Sequence, residues 1–377
     1  MNHIPSFAVL GAGNGGVATA ADLTIRGFQV NLWEHPDFAA SLEPIRAAGG
    51  IRLETVPGIP VQEGFAKLRR ITTDIQEALR DVDAVLVVVP AFAHQRVAEC
   101  CAPYLQDHQT VIISPGNFGG AIQFQNIFRQ RGQAEDVVFA EAECMIYACR
   151  KTAPASVWVR RYKKGLRYAA LPACKTDRVM EIVHQIYPEA EPAANILETG
   201  LSNCNPTQHP PIMVLNAALL ERTRGDFLFY NEGVTPGVIR VIEAADRERM
   251  AVGAAFQTPI RSAYEQELAW YGYQGCSGNS LYESLAGSPF YSSSKAPDSF
   301  LSRYLTEDVP FGLAPVEELG QQAGVPTPTI TAIIELAQLL TRQDLRVGRR
   351  SLAALGLSCM SVAQLVNFIN VGAVQGD

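Results

Sequence analysis

No long apolar run exists in this chain. Across 377 residues the clean hydrophobic stretches are strand-sized, which excludes a membrane span of about 20 residues. Basic excess is missing as well. With 31 Lys and Arg against 38 Asp and Glu, the formal charge is −7, so a nucleic-acid footprint, which needs a basic face, is not expected. Short basic clusters at Arg160, Arg161, Lys163 and Lys164 and at Arg346, Arg349 and Arg350 read as solvated surface. The cysteines at 100, 101, 144, 149, 174, 204, 276 and 359 show neither CxxC nor metal-ligand spacing. They read as reduced thiols of a cytoplasmic protein, and no metal site is expected. The first strand pattern begins about six residues in, leaving no expected room for a secretory leader. No internal repeat or low-complexity tract is visible.

What is present suggests two domains, 1–192 and 193–377, since the chain is too long for one typical core. In the first half, Phe7–Leu10, Gln29–Trp33, Ala84–Val89, Thr110–Ser114 and Val137–Ala140 read as buried strands separated by helical stretches. Thr73 with Gln76 has the capping-box pattern ahead of one such helix. Strand–helix alternation of this kind implies a doubly wound parallel sheet of the Rossmann type. From Val157 to Leu171 the pattern turns to strand and turn, read as antiparallel additions to the same sheet. Beyond about Pro192, Ile212–Leu220, Val238–Arg249, Pro315–Ala323 and Ile330–Leu340 carry apolar residues at helical spacing, and the domain is read as mostly α-helical. Gly272–Ser294, rich in Gly, Ser and Tyr, is read as a loop or lid-like connection.

The first chemical signal is Gly11-Ala-Gly13-Asn14-Gly15-Gly16, a GxGxxG placed directly after a strand and before a helix pattern. In that context Gly11 makes the tight turn, Gly13 admits a pyrophosphate to the backbone and Gly16 allows close packing. Asn14 and Gly15 complete the turn, and the helix N-terminus adds amides and a positive dipole end. Glu34 closes the second strand at about the expected spacing. A carboxylate there accepts ribose hydroxyls and repels a 2′-phosphate, so NAD(H) is favoured over NADP(H). The competing reading is a glycine-rich turn with an incidental surface Glu. Pro90 and Ala91, at the end of the Ala84–Val89 strand, are placed beside the nicotinamide ribose by the switch-point rule. They read equally well as an ordinary turn, as does Ser114–Gly120.

The second half holds one histidine, His209, in Asn205-Pro-Thr-Gln-His209-Pro-Pro211. Two consecutive prolines are expected to push it out of α geometry and to break the chain before the next helix. It is read as a proton-transfer group or, at similar odds, as structural. Asp308, in Arg303-Tyr-Leu-Thr-Glu-Asp308-Val, taken alone reads as a residue capping or approaching a helix.

Blocks spread over nearly the whole chain resemble the opine dehydrogenase family, which includes octopine and nopaline dehydrogenases, and most closely its bacterial norvaline-type members. They are Val9–Gly16, Val88-Val-Pro90-Ala, Pro115-Gly with Gly119-Gly120-Ala, Cys149-Arg150, His209-Pro with Leu215-Asn216, Gly233–Pro236, Arg303-Tyr with Glu307-Asp308-Val, Gly312-Leu and Val325–Pro328. The His-Pro and Arg-Tyr blocks, roughly a hundred residues apart, are the specific ones. The resemblance implies NADH-dependent reductive condensation of an L-amino acid with a 2-oxo acid, commonly pyruvate, through an imine. It implies that His209 and Asp308 handle the protons and that Arg303 holds a substrate carboxylate. The segment that varies with the amino acid in this family reads Glu141-Ala-Glu143-Cys-Met145-Ile. An acidic residue here suits a basic substrate, while Met145 suits an apolar one, and the choice stays open. Asn205 is a further substrate-binding candidate. Partners are then small molecules alone, with no nucleic acid or membrane; a homodimer is compatible.

Two other readings compete. A reductase of a simple oxo acid (hydroxyacid or ketopantoate style) would use a lysine acid, yet the only lysine after Lys175 is Lys295. A non-catalytic NADH-binding protein would not need His209, Asp308 and Arg303 together.

Overall fold

The apolar runs of the first half become the central strands of one sheet. The computed structural model describes residues 4–258 and 260–372, in two compact units, Met1–Ile196 and Leu197–Asp377. In chain order the strands of the first unit are β1 (Ser6–Leu10), β2 (Gln29–Trp33), β3 (Ile51–Thr55), β4 (Gly64–Ala66), β5 (Arg70–Thr72), β6 (Ala84–Val87), β7 (Thr110–Ile113), β8 (Val138–Ala142), β9 (Tyr147–Ala153), β10 (Ser156–Tyr162), β11 (Arg167–Leu171) and β12 (Glu191–Pro192).

The main sheet runs β12-β11-β8-β7-β6-β1-β2-β5. From β5 to β8 every pairing is parallel, and β11 joins β8 antiparallel. Every residue of β1, β6, β7 and β8 is buried. That explains why these strands read as continuous apolar runs rather than alternating ones: the sheet is covered on both faces. Each fully buried Val, Leu, Ile or Phe in them contributes about 1.5–3 kcal/mol of transfer free energy.

Only part of the Val157–Leu171 stretch joins that sheet. β11 does, but β10 belongs to a second sheet ordered β4-β3-β10-β9, where it pairs parallel to β3 and antiparallel to β9. β3 alternates buried with exposed positions, as a sheet with one wet face does. The pairing with β3, about a hundred residues earlier, leaves no local trace. Helix Asn14–Ile25 contacts strands of both sheets and is buried from Gly16 to Leu23, so it has no polar face. The Thr73–Gln76 capping box is also replaced. Asp74 is the N-cap of helix Ile75–Leu79, its carboxylate accepting from the Gln76 and Glu77 amides, because Thr73 lies one residue too early.

The second unit is helical; among its described residues the only β pairing is the bridge Leu228–Lys295. The spaced apolar segments become helices Asn205–Leu215, Ala217–Thr223, Pro236–Ala255, Ala314–Ala323 and Pro328–Thr341. Ile330, Ile333, Ile334 and Ala337 form the buried stripe of the last. Gly272–Ser294 is not a plain loop: it contains short helical segments Gly272–Gln274, Leu281–Leu285 and Pro289–Tyr291, the second capped by Ser280. Among the described residues no helix is long and apolar enough to cross a membrane.

The expected break at His209 does not occur. His209, Pro210 and Pro211 all lie inside helix Asn205–Leu215. An interior proline costs about 3 kcal/mol, since it removes an amide donor and crowds the carbonyl four residues back. Here Pro206 through Val214 are buried without interruption, so tertiary packing on all sides outweighs the local penalty.

Candidate active site

In the first unit the glycines divide their work by geometry. Gly11 has φ +111°, and a Cβ there would lie 2.5 Å from the Val88 carbonyl oxygen. Its bare backbone lets the β1 turn touch the end of β6, and the Gly11 amide donates to the Trp33 carbonyl. At Gly16 a Cβ would fall 1.8 Å from the Gly11 oxygen, so the helix start folds directly onto the turn. Nothing lies within 4 Å of a Cβ at Gly13. This glycine is therefore needed for something other than internal packing, as expected where a phosphate approaches the backbone. Gly15 faces Val88 and the Met145 thioether. Asn14 opens the helix, and its side chain accepts from the Lys151 amide at 2.9 Å.

Glu34, at the end of β2, reaches back to this turn. Its carboxylate accepts from the Ala12 amide at 2.7 Å and from the His35 amide at 2.8 Å. Pro90 and Ala91 follow Val88 and Val89, which pack against Gly11; Pro90 is half-buried and Ala91 buried. The turn, the acid and the open space at Gly13 together fit a dinucleotide: main-chain amides for the phosphates and a carboxylate for ribose hydroxyls.

The second unit brings together residues remote in sequence. The His209 Nδ1 lies 2.8 Å from Asp308 Oδ2 across 99 residues of chain. A carboxylate only accepts, so Nδ1 carries the proton, and in the neutral ring Nε2 is left as an acceptor. The Tyr230 hydroxyl donates to Nε2 at 3.0 Å. Tyr304 lies over the imidazole face, centroids 4.0 Å apart and planes 24° apart, and Phe229 meets the ring edge-on. Both nitrogens and one face of His209 are thus held. A charge-assisted hydrogen bond of this kind contributes about 1.5–3 kcal/mol.

Local sequence explains how the parts meet. Asp308 immediately precedes a π-helical turn, Val309–Leu313, and such turns often mark functional sites. Within it Gly312 packs on Pro206; a Cβ there would lie 2.3 Å from the proline ring. The missing side chain lets the turn close on His209's helix and sets Asp308 at hydrogen-bond distance. Asn216 donates to the carbonyls of Ile212 and Gly233 at 2.9 and 2.8 Å. That ties the end of the same helix to the turn following Tyr230. Thr235 and Pro236 start the next helix, with Thr235 accepting from the Val238 amide.

Behind Tyr230 stands Tyr291, centroids 4.3 Å apart, whose hydroxyl donates to Glu267 at 2.6 Å. Gln208, next to His209, donates to the other oxygen of Glu267 at 3.3 Å. Burial pushes the Tyr230 phenol far above its usual range, and the nearby Tyr304, Glu267, Tyr271 and Asp308 push the same way. Its hydroxyl therefore stays protonated and remains a donor.

Arg303 begins helix Arg303–Thr306, its side chain 64% exposed and 3.4 Å from Glu307. Asn205 begins His209's helix, its amide donating to the Asn203 side chain at 3.1 Å. The candidates of the variable segment belong to the first unit. Glu141 is fully buried in β8, where it accepts from the Ala121 amide at 2.7 Å and lies under Gly116. It caps the start of helix Gly120–Arg131 and offers no exposed charge to a basic substrate. Glu143 is likewise buried, paired with Arg167 at 3.1 Å. Met145 packs beside Gly15 and lines a small cavity of about 10 Å³ with Thr19, Val88 and Tyr187. Sequence reasoning missed Tyr230 and Tyr304. Tyr304 enters only as the neighbour of Arg303, and Tyr230, which ends the apolar run Phe227-Leu-Phe-Tyr, belongs to none of the motifs.

Comparison with known proteins adds to this geometry. Residues 192–341 match the NAD/NADP octopine/nopaline dehydrogenase alpha-helical domain, and residues 6–123 match the NAD-dependent glycerol-3-phosphate dehydrogenase N-terminus. An opine dehydrogenase of Arthrobacter sp. (strain 1C) is 37% identical, covering 95% of this chain and 97% of its own. A vitopine synthase of Allorhizobium ampelinum is 24% identical, over 96% and 98%. Among solved structures, octopine dehydrogenase with NADH and L-arginine superposes with a TM-score of 0.76 at 21% identity, covering 99% of both chains.

Proposed function

This chain belongs to the opine dehydrogenase family, and from that premise we propose how its residues divide the reaction. The activity is NADH-dependent reductive condensation of an amino acid with a 2-oxo acid through an imine, and its reverse. One observation carries the residue assignment: His209 and Asp308, 99 residues apart in sequence, meet at 2.8 Å.

NAD(H), when bound, supplies the hydride that reduces the imine carbon. Gly11, Gly13, Asn14, Gly15 and Gly16 hold its pyrophosphate, Glu34 its adenosine ribose, and Pro90 and Ala91 the far ribose. Arg303, whose exposed guanidinium forms a planar fork, binds a substrate carboxylate. His209 Nε2 takes a proton from the ammonium of the amino acid, while Asp308 holds the resulting imidazolium. The freed nitrogen pair forms the N–C bond, and the carbonyl pair moves onto oxygen. One proton passes from nitrogen to that oxygen. His209 returns its own proton to the same oxygen, which leaves as water with the C–O pair while the nitrogen pair forms the C=N bond. After reduction the product is a secondary amine and His209 is neutral again. The ammonium supplies both hydrogens of the water, so the cycle balances.

Two small molecules are then the enzyme's partners. It works in the cytoplasm, a location supported by eight cysteines that are all free thiols. A lysine-dependent oxo-acid reductase is disfavoured because Lys295 is exposed and paired with Asp226. In the test, NADH and NADPH are offered side by side with pyruvate and a panel of L-amino acids. NADH is expected to disappear only when both carbon substrates are present. Consumption with pyruvate alone would replace the proposal by simple oxo-acid reduction.

A further inference from the structure

In the structure His209 is closed at the atom it needs. Nδ1 belongs to Asp308, and Nε2, the only ring nitrogen able to take a proton, is covered by the Tyr230 hydroxyl at 3.0 Å. Substrates must therefore separate an acceptor, Nε2, from a donor, the Tyr230 O–H, that satisfy each other. An amino acid and an oxo acid match this pair. The ammonium is a donor and suits Nε2; the oxo oxygen is an acceptor and suits the hydroxyl. A neutral imidazole protonated at Nδ1 cannot itself hydrogen-bond the oxo group through Nε2, so that group needs another donor.

We propose that Tyr230 is a catalytic hydrogen-bond donor to the oxo oxygen, working beside His209 as base. When the substrate nitrogen attacks the carbonyl carbon, the N–C bond forms and the C=O π pair moves onto oxygen. There the Tyr230 O–H meets the growing negative charge. Tyr230 keeps its own proton; the two protons that leave with the oxygen come from the ammonium, one of them by way of His209. Burial and the surrounding acids hold the phenol in its protonated form, which suits a donor and not a relay through phenolate. The hydroxyl is positioned by packing: the ring is 8% exposed and held between Phe229 and Tyr291.

The assignment rests on the reading of His209 as the base, and the test separates the two. Tyr230→Phe removes the donor and frees Nε2. Loss of one such donor costs about 100-fold or more in kcat, with NADH affinity and the KM for the amino acid near wild type. A rate equal to or above wild type would overturn the proposal, leaving Tyr230 as a cover for the resting imidazole. Site-specific 3,5-difluorotyrosine at 230 restores ring and hydroxyl, and activity should return at a rate shifted from that of wild type because the donor is stronger. If Tyr230→Phe does not fold, this variant decides alone: a rate that responds to hydroxyl acidity supports the proposal, and an unchanged rate overturns it. His209→Asn run in parallel tests only the underlying reading. Full activity there refutes the base and the inference built on it, whereas a dead His209→Asn beside a fully active Tyr230→Phe refutes the donor alone.

Discussion

The glycine turn and the His209 cluster follow opposite plans. The turn is built from six consecutive positions, four of them glycine, plus Glu34, and its phosphate side depends on side chains that are missing. The cluster is built from residues 209, 230, 304 and 308 on separate elements, and every hydrogen bond in it comes from a side chain that is present. Backbone recognition needs a particular φ and empty space, which short-range sequence can specify. Proton transfer needs heteroatoms at about 3 Å, and only a folded helical unit supplies them.

That contrast can be broken most strongly at His209. His209→Ala should lower turnover by at least about 10⁴-fold, the scale at which paired acid–base residues act, while NADH fluorescence on binding stays intact. Asp308→Asn should lose somewhat less, about 10²–10⁴-fold, because the ring remains but its tautomer is no longer enforced. Equal activity in either variant would make the cluster structural. Loss of NADH binding in either would mean the two functions are not divided as described.

The glycines sharpen the same comparison at a smaller scale. Gly16→Ala drives a Cβ to 1.8 Å from a backbone oxygen and should destabilise the first unit by about 1–3 kcal/mol or more, seen as earlier melting without ligand. Gly13→Ala meets nothing within 4 Å. It should melt like wild type yet bind NADH about tenfold more weakly, a difference of about 1.4 kcal/mol. If both variants behave alike, Gly13 is an internal packing residue and the phosphate reading of the turn fails.

The uneven legibility of the sequence has the same origin. β1, β6, β7 and the start of β8 were readable because strands buried on both faces carry near-continuous apolar runs. The sheet formed by β3, β4, β9 and β10 was not, because its central pairing joins strands about a hundred residues apart. His209 was found from its type and setting, but its helix was misjudged: two prolines predict a break, and burial of the surrounding turn overrides them. Glu141 shows the converse error. An acid in a variable segment suggested substrate recognition, and nothing local revealed that a helix start 20 residues earlier would claim its carboxylate. Tyr230 carries no motif at all; only the fold places its hydroxyl on Nε2.

Reduction of C=N rather than C=O is what separates this chemistry from simple oxo-acid reduction. It is tested most directly by running the reaction with NADH deuterated at C4 of the nicotinamide, on the transferred face, with pyruvate and an accepted amino acid. Mass spectrometry and NMR should find deuterium at the carbon that joins the former oxo acid to nitrogen, in a secondary amine dicarboxylate. Deuterium in a 2-hydroxy acid, with the amino acid recovered unchanged, would contradict the account.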